Sequence, residues 1–179
     1  MKKILIFTLF LSITIAQIQH GGFPKFFNNE LDRIKFQSVD TDLIVDRGFD
    51  PMVFQFGTEY DVDINILDEA QIFIDGDIYT FVCGINSMDA YGLGFNFSDF
   101  HLSPNSELYF YDRERTSYFG ALTYSNNKIN RQITTSIMKG NSIIIELSVP
   151  IQEIDDIRLY LDTVIHDYTD IMNYYNTPD

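Results

Sequence analysis

Three histidines are the strongest candidates for acid–base chemistry in this sequence, but their surroundings lack a known catalytic spacing. They are His20, His101 and His166. A hydrolase triad needs a nucleophile, a base and an orienting acid. No serine stands in a Gly-x-Ser-x-Gly or Gly-Asp-Ser-Gly context. We therefore predict that the chain has no catalytic residues and is not an enzyme.

The spacings of metal and cofactor sites are also missing. His-x-x-x-His, Cys-x-x-Cys and Gly-rich phosphate loops do not occur. The run Asp61-Val62-Asp63-Ile64-Asn65 has the acidic spacing of a calcium loop, yet Ile66 and Ile72 stand where such a loop needs Gly and Glu. We predict a solvated strand face there, with no metal and no cofactor.

Tyrosines are the remaining candidates for binding. Tyr109, Tyr111 and Tyr118 lie close together in the sequence and are predicted as partner-binding residues, because exposed tyrosines anchor sugars and proteins well. Tyrosines also fill and rim ordinary β-sandwiches, and this second interpretation is favoured for most of them.

One cysteine, Cys83, excludes an intramolecular disulfide. It stands in the apolar stretch from Ile78 to Ile85, which favours a small buried hydrophobic side chain over a nucleophile.

The charge of the chain limits its partners. The formal net charge is −14, so phosphate backbones and anionic lipid surfaces would repel it. We predict that it binds neither nucleic acid nor membrane after processing. The charge suits a basic partner, or simply a soluble acidic exported protein.

The N-terminus predicts export. A basic start, a short apolar run and Ala16 before Gln17 are typical of a secretory signal peptide at residues 1–16. The run is too short to span a bilayer. The expected location is therefore extracellular or periplasmic. An irregular extension at 17–53, a module at 54–168 and a tail at 169–179 complete the predicted organisation.

Apolar residues recur at every second position, the period of β-strands. Tyr91, Leu93, Phe95 and Phe97 are expected on one inner face, and Asp75-Gly76 predicts a hairpin between two apolar runs. About eight short strands separated by turns indicate an all-β fold, an antiparallel, jelly-roll-like β-sandwich.

A series of motifs resembles the noncatalytic N-terminal region that precedes the trypsin-like domain in bacterial secreted lysyl-endopeptidase-type serine proteases. The matching stretches, in order, are Asp75-Gly76-Asp77, Ala90 to Leu102, Glu107 to Asp112, Gly120 to Thr123, Asn126 to Lys128, Lys139 to Glu146 and Val164 to Tyr168. The resemblance implies a noncatalytic propeptide-like module whose partner is a secreted serine protease domain.

The sequence departs from this family in three places. Tyr79 stands where tryptophan is typical, Asp167 stands where glycine is typical, and Thr169 to Asp179 leave no room for a catalytic domain. The chain is therefore interpreted as a truncated protease precursor or a stand-alone prodomain-like protein. The alternative is a stand-alone module that binds a carbohydrate or another cell-surface ligand.

Overall fold

Two facing β-sheets form the body of the protein. The computed structural model describes residues 21–28, 34–42, 44 and 54–174. The predicted signal peptide, parts of the predicted extension and the last residues of the predicted tail lie outside the described residues. The prediction of an all-β sandwich is confirmed by the two sheets.

The strands divide between the sheets as follows. Sheet A contains β1 (Phe36–Ser38), β3 (Gln71–Asp75), β4 (Ile78–Asn86), β6 (Glu107–Asp112), β7 (Tyr118–Leu122) and β10 (Ser142–Pro150). Sheet B contains β2 (Gly57–Asn65), β5 (Gly92–His101), β8 (Ile133–Thr134), β9 (Met138–Lys139) and β11 (Arg158–Asp167). Short helices follow β2 and β11, as α1 (Ile66–Glu69) and α2 (Ile171–Tyr174). Short 3₁₀ helices lie at Tyr124–Asn126 and Ile151–Asp156.

The strand order is that of a jelly roll. Sheet A runs β4-β10-β6-β7, and sheet B runs β2-β11-β5 with β8 and β9 both on the free edge of β5. The chain therefore passes repeatedly between the sheets, as two Greek keys require. β3 and β1 are additions along the free edge of β4, antiparallel and parallel to it respectively.

The core lies between the inner faces of the two sheets. Leu93, Phe95 and Phe97 point inward from β5 and are at most 2% exposed, as predicted. Phe95 stacks on Phe110 of sheet A with 5.8 Å between ring centroids. The prediction was wrong for Tyr91, which is 54% exposed because it precedes the strand.

The predicted hairpin joins β3 and β4. Asp75 pairs with Ile78, so the two-residue loop is Gly76-Asp77. Gly76 has a φ of +58°, which glycine adopts without strain and which suits the first position of a type II′ turn.

Bulges change the face assignment of the last strand. The pairing of β11 with both neighbours shifts between Leu161 and Thr163. Against β5 the extra residue is Asp162 on β11, whereas against β2 the extra residue lies on β2, between Asp61 and Ile64. Strict alternation continued from Ile157, Leu159 and Leu161 would place Ile165 inward and Val164 outward. Instead Val164 is fully buried in the core, because an extra residue reverses the faces of all that follow.

Candidate binding surfaces

The three predicted tyrosines lie on the outer face of sheet A, and two of them are covered. Tyr109 is 1% exposed and Tyr111 is 0% exposed, whereas Tyr118 is 42% exposed. The prediction of an exposed platform of three tyrosines is therefore wrong for Tyr109 and Tyr111, because both are buried. Along β6, Leu108 and Phe110 point into the core and alternate with outward-facing Tyr109 and Tyr111. At these two positions the outer face of the sheet is buried as well.

The cover is a segment near the N-terminus, residues 21–28, which we name the strap. Phe27 meets Tyr111 edge-on at 5.6 Å between centroids, and Phe26 contacts Phe73 of β3 at 4.6 Å. The surface under the strap, which we name the strap face, is formed by Phe73, Val82, Tyr109, Tyr111, Ile144 and Glu146. The strap therefore builds a second, smaller apolar layer outside the sandwich.

Glu146 is the polar centre of the strap face. It lies in the middle of β10 and is 0% exposed. Its carboxylate accepts hydrogen bonds from the backbone N–H of Lys25 at 2.5 Å, from that of Phe26 at 3.1 Å, and from the Tyr111 hydroxyl at 2.9 Å. One buried carboxylate thus binds two successive peptide N–H groups of the strap.

Burial perturbs the titration of this cluster. It raises the pKa of Glu146 above its ordinary value of 4.5, although the three hydrogen bonds act in the opposite direction. Burial and the neighbouring Glu146 carboxylate also raise the pKa of Tyr111. A similar effect, with Glu107 as the acidic neighbour, raises the pKa of Tyr109. Both hydroxyls therefore stay protonated and act as donors at physiological pH.

Sequence reasoning missed Glu146. The signal that could have identified it is a single acid inside the apolar run of β10, since a buried strand seldom carries a charge without a partner.

The outer face of sheet B carries an open cleft of about 980 Å³. Most of its lining side chains are amides, hydroxyls or charged groups: Glu59, Asn96, Ser98, Lys128, Asn130, Gln132, Thr134, Thr135, Ser136, Asp162 and Thr163, together with the apolar Phe97, Phe119, Ile133 and Ile165. The Oδ1 atom of Asn96 is inaccessible and has no hydrogen-bond partner. Such an atom is costly to bury unpaired.

A serine and a histidine meet elsewhere in the sandwich. Ser87 Oγ lies 2.8 Å from His166 Nδ1, but Ser87 is 0% and His166 8% exposed. Burial lowers the pKa of His166, which keeps the imidazole neutral. A nucleophile must reach its substrate, so this pair joins the β4–β5 connection to β11 rather than forming a reactive site. His101 contacts Tyr124 edge-on at 6.1 Å, and His20 lies outside the described residues.

The motif residues of the sequence resemblance make framework hydrogen bonds. Asn127 accepts from the backbone N–H of Leu102 and donates to the carbonyl of the same residue, both at 2.8 Å. Asp112 accepts from the backbone N–H groups of Thr116 and Ser117, at 3.0 and 2.7 Å, and closes the β6–β7 turn. These side chains fix loops of the jelly roll.

Among the residues that the structure describes, no group of three or more His, Cys, Asp or Glu side chains is arranged to hold a metal ion. Likewise, none of the helices described is both long and apolar enough to cross a bilayer.

The fold places the protein in the class of all-β jelly-roll sandwiches. No protein-family model matches the chain, and no solved structure is significantly similar to it.

Proposed function

We propose that the chain is an exported, noncatalytic jelly-roll module that associates with a secreted serine protease domain and assists its folding or keeps it latent. The observation that supports this proposal best is the framework role of the motif residues. Asn127 and Asp112 secure loops through their side chains, so the shared motifs describe a scaffold for binding rather than a reaction centre. The chain would be a stand-alone prodomain-like protein or a truncated precursor.

The charge of the outer face of sheet B suits such a partner. Glu59, Asp61 and Asp63 lie on β2, beside Asp162 on β11, and the last three are exposed. Acidic side chains on one face raise the rate of association with a basic surface, and this effect weakens with salt.

The direct test mixes the purified protein with lysine-specific secreted serine proteases. The expected result is slower peptide hydrolysis or a higher yield of active protease on refolding from denaturant. Neither inhibition nor improved refolding across several such proteases would contradict the proposal.

Charge variants localise the interface. Asp61→Asn with Asp162→Asn should lower the association rate at low salt by roughly tenfold. Asp155→Asn with Asp156→Asn is the matched control, because it removes the same charge from exposed positions on the Ile151–Asp156 turn. Equal effects of the two pairs would indicate net charge alone.

A second candidate, favoured by the open cleft, is saccharide binding. Amide and hydroxyl side chains are suited to the donors and acceptors of a polyhydroxylated ligand, and the Asn96 side chain, which lines the cleft, would donate to a sugar hydroxyl through its Nδ2 group. This site replaces the buried tyrosines as the location for a glycan.

A glycan array followed by calorimetry tests this second candidate. Asn96→Ala should weaken the binding of any hit by about tenfold, the equivalent of one lost hydrogen bond. Asn105→Ala, an exposed asparagine on the β5–β6 loop, should have no effect. An array without hits, or equal loss from both variants, would contradict it.

A further inference from the structure

The strap is held to the body by side chains, outside any strand ladder of the described residues. Residues 21–28 belong to none of the strands, and within the strap a backbone hydrogen bond of 3.3 Å joins Phe27 N–H to the carbonyl of Pro24. Its polar contacts with sheet A include those of Glu146, a hydrogen bond from the Tyr118 hydroxyl to the Gly22 carbonyl at 3.1 Å, and an ion pair between Lys25 and Asp75 at 3.1 Å. This mode of contact is that of a ligand in a groove, not of a paired strand.

The contacts recognise individual positions along the strap. Gly22 lies so close to the Tyr109 hydroxyl that a β-carbon would collide with it. Phe23 and Phe27 both pack edge-on against Tyr118, each at 5.4 Å between centroids. Gly22 also has a φ of +119°, which other residues rarely adopt, so this point favours glycine, and the two rings that follow add contacts with Tyr118.

The remaining positions of the strap are recognised in the same way. Pro24 is buried, Lys25 faces the carboxylate of Asp75, and Phe26 fills the space beside Phe73. Together these contacts distinguish the sequence Gly-Phe-Pro-Lys-Phe-Phe from most others.

Glu146 indicates binding rather than simple coverage. Apolar surface alone can be covered by apolar side chains, and a buried carboxylate is unfavourable unless its oxygens are bonded. Here both oxygens bind N–H groups that a peptide presents whenever its backbone is extended past them. Charge-assisted bonds of this kind fix the register of the bound segment.

We propose that the strap face is a peptide-binding site that the chain fills in cis with its own strap, and that it accepts partner peptides of the same chemistry. The partner segment presents two successive backbone N–H groups to Glu146, a cation toward Asp75, a glycine at Tyr109 and flanking aromatic rings. The strap then acts as a competitor that a partner must displace. This proposal is independent of the protease or saccharide function of sheet B.

The test uses the full chain with a loosened strap. Phe26→Ser with Phe27→Ser removes two rings of the strap, which together make three ring contacts with sheet A, and leaves the residues of the strap face unchanged. A fluorescent peptide of the sequence Gly21 to Asn28 should then bind this variant at least roughly tenfold more tightly than wild type, because the linked wild-type strap has a high effective concentration. Fluorescence anisotropy measures both affinities.

Two controls define specificity. A peptide with alanine in place of the residue corresponding to Gly22 should lose most of the binding, and adding Glu146→Gln to the protein variant should do the same. Absence of saturable binding to a variant with wild-type circular dichroism, or equal binding to both proteins, would overturn the proposal.

Hydrogen exchange on the wild-type protein gives an answer that does not depend on how the variant folds. The amides of Lys25 and Phe26 should exchange at least roughly tenfold faster than the central amides of β10, which indicates that the strap opens by itself. Exchange of the strap only together with β10 would show that it is an inseparable part of the core, and would also overturn the proposal.

Discussion

At the scale of single residues, Glu146 shows how a charge is accommodated in an apolar strand. Its carboxylate is paired with donors from two directions, Tyr111 within sheet A and the strap above it. Sequence alternation gives the face on which Glu146 lies, but its partners Lys25 and Phe26 stand about 120 positions earlier. No local pattern reports a contact over that distance, which is also why the sequence alone leaves an exposed platform of Tyr109 and Tyr111 open as an alternative.

Glu146 gives the protein a defined pH dependence. Because its pKa is raised in the folded state, its contribution favours folding below 4.5 and is lost as the pH rises through the raised pKa. The difference in stability between Glu146→Gln and wild type should therefore shift in favour of the variant as the pH rises from 4.5 towards neutral, whatever the constant cost of the lost acceptor. Urea unfolding across this range measures the difference, and parallel curves for the two proteins would contradict it.

The pKa of a second acid, Asp112, is shifted downwards, opposite to that of Glu146, and lies outside this pH range. Burial raises the pKa of Asp112, but hydrogen bonds from Thr116 and Ser117 outweigh burial and hold it below 3.8. The stability that Asp112 contributes is present above that value and is lost as the pH falls further. The comparison of wild type with Glu146→Gln above pH 4.5 therefore reports on Glu146 and not on Asp112.

Phe95 is the residue for which alternation gives the clearest prediction. It is fully buried against Phe110 from the opposite sheet. Phe95→Ala should lower the free energy of unfolding by about 3–5 kcal/mol through lost burial and a cavity, a large part of a typical total. Phe97→Ala should have a similar effect.

Tyr91→Ala is the matched control for these core variants. Tyr91 belongs to the same sequence alternation but is 54% exposed, so its removal should change stability by about 0.5 kcal/mol or less. Urea midpoints give all three values. A larger loss from Tyr91→Ala than from Phe95→Ala would contradict the assigned faces.

At the scale of elements, turn chemistry is more predictable than strand length. The Asp75-Gly76 signal locates the β3–β4 hairpin because a two-residue loop is a local property. The stretch from Gln132 to Ile137 has the pattern of a full strand, yet β8 comprises only Ile133–Thr134. The chain bends away there, and Ile137 lies against Gly92 and Gly94. The bulge at Asp162 is likewise a property of paired strands, which a single sequence does not display.

Asn127 connects two elements through one amide. Its side chain replaces the missing backbone partners of Leu102, just after β5. Asn127→Ala should leave that buried N–H and carbonyl unpaired and lower the free energy of unfolding by about 1–3 kcal/mol. Asn127→Asp keeps an acceptor for the Leu102 N–H but places a second oxygen opposite the Leu102 carbonyl, so it should also lose stability in a urea titration. Equal midpoints for alanine and wild type would contradict this role.

At the scale of the whole molecule, the sequence predicts the architecture well and the function poorly. The alternation of apolar residues, the turn positions and the lack of long helical periods define a sandwich of short strands, which the two sheets confirm. A jelly roll is a scaffold with many uses, so the fold alone does not select a partner. The structure adds the information on which outer face of the sandwich is open for binding. One outer face is covered by the strap, and the other is open and carries the cleft.

Cys83 lies on the inner face of β4 and is 0% exposed, and burial raises its pKa to about 12. A thiol in that position reacts only after solvent enters the space between the sheets, since the thiolate is the reactive form. The rate of its alkylation in native buffer, compared with that of the unfolded chain, therefore reports how often the sandwich separates. The protein contains its own reporter of opening, without an engineered label.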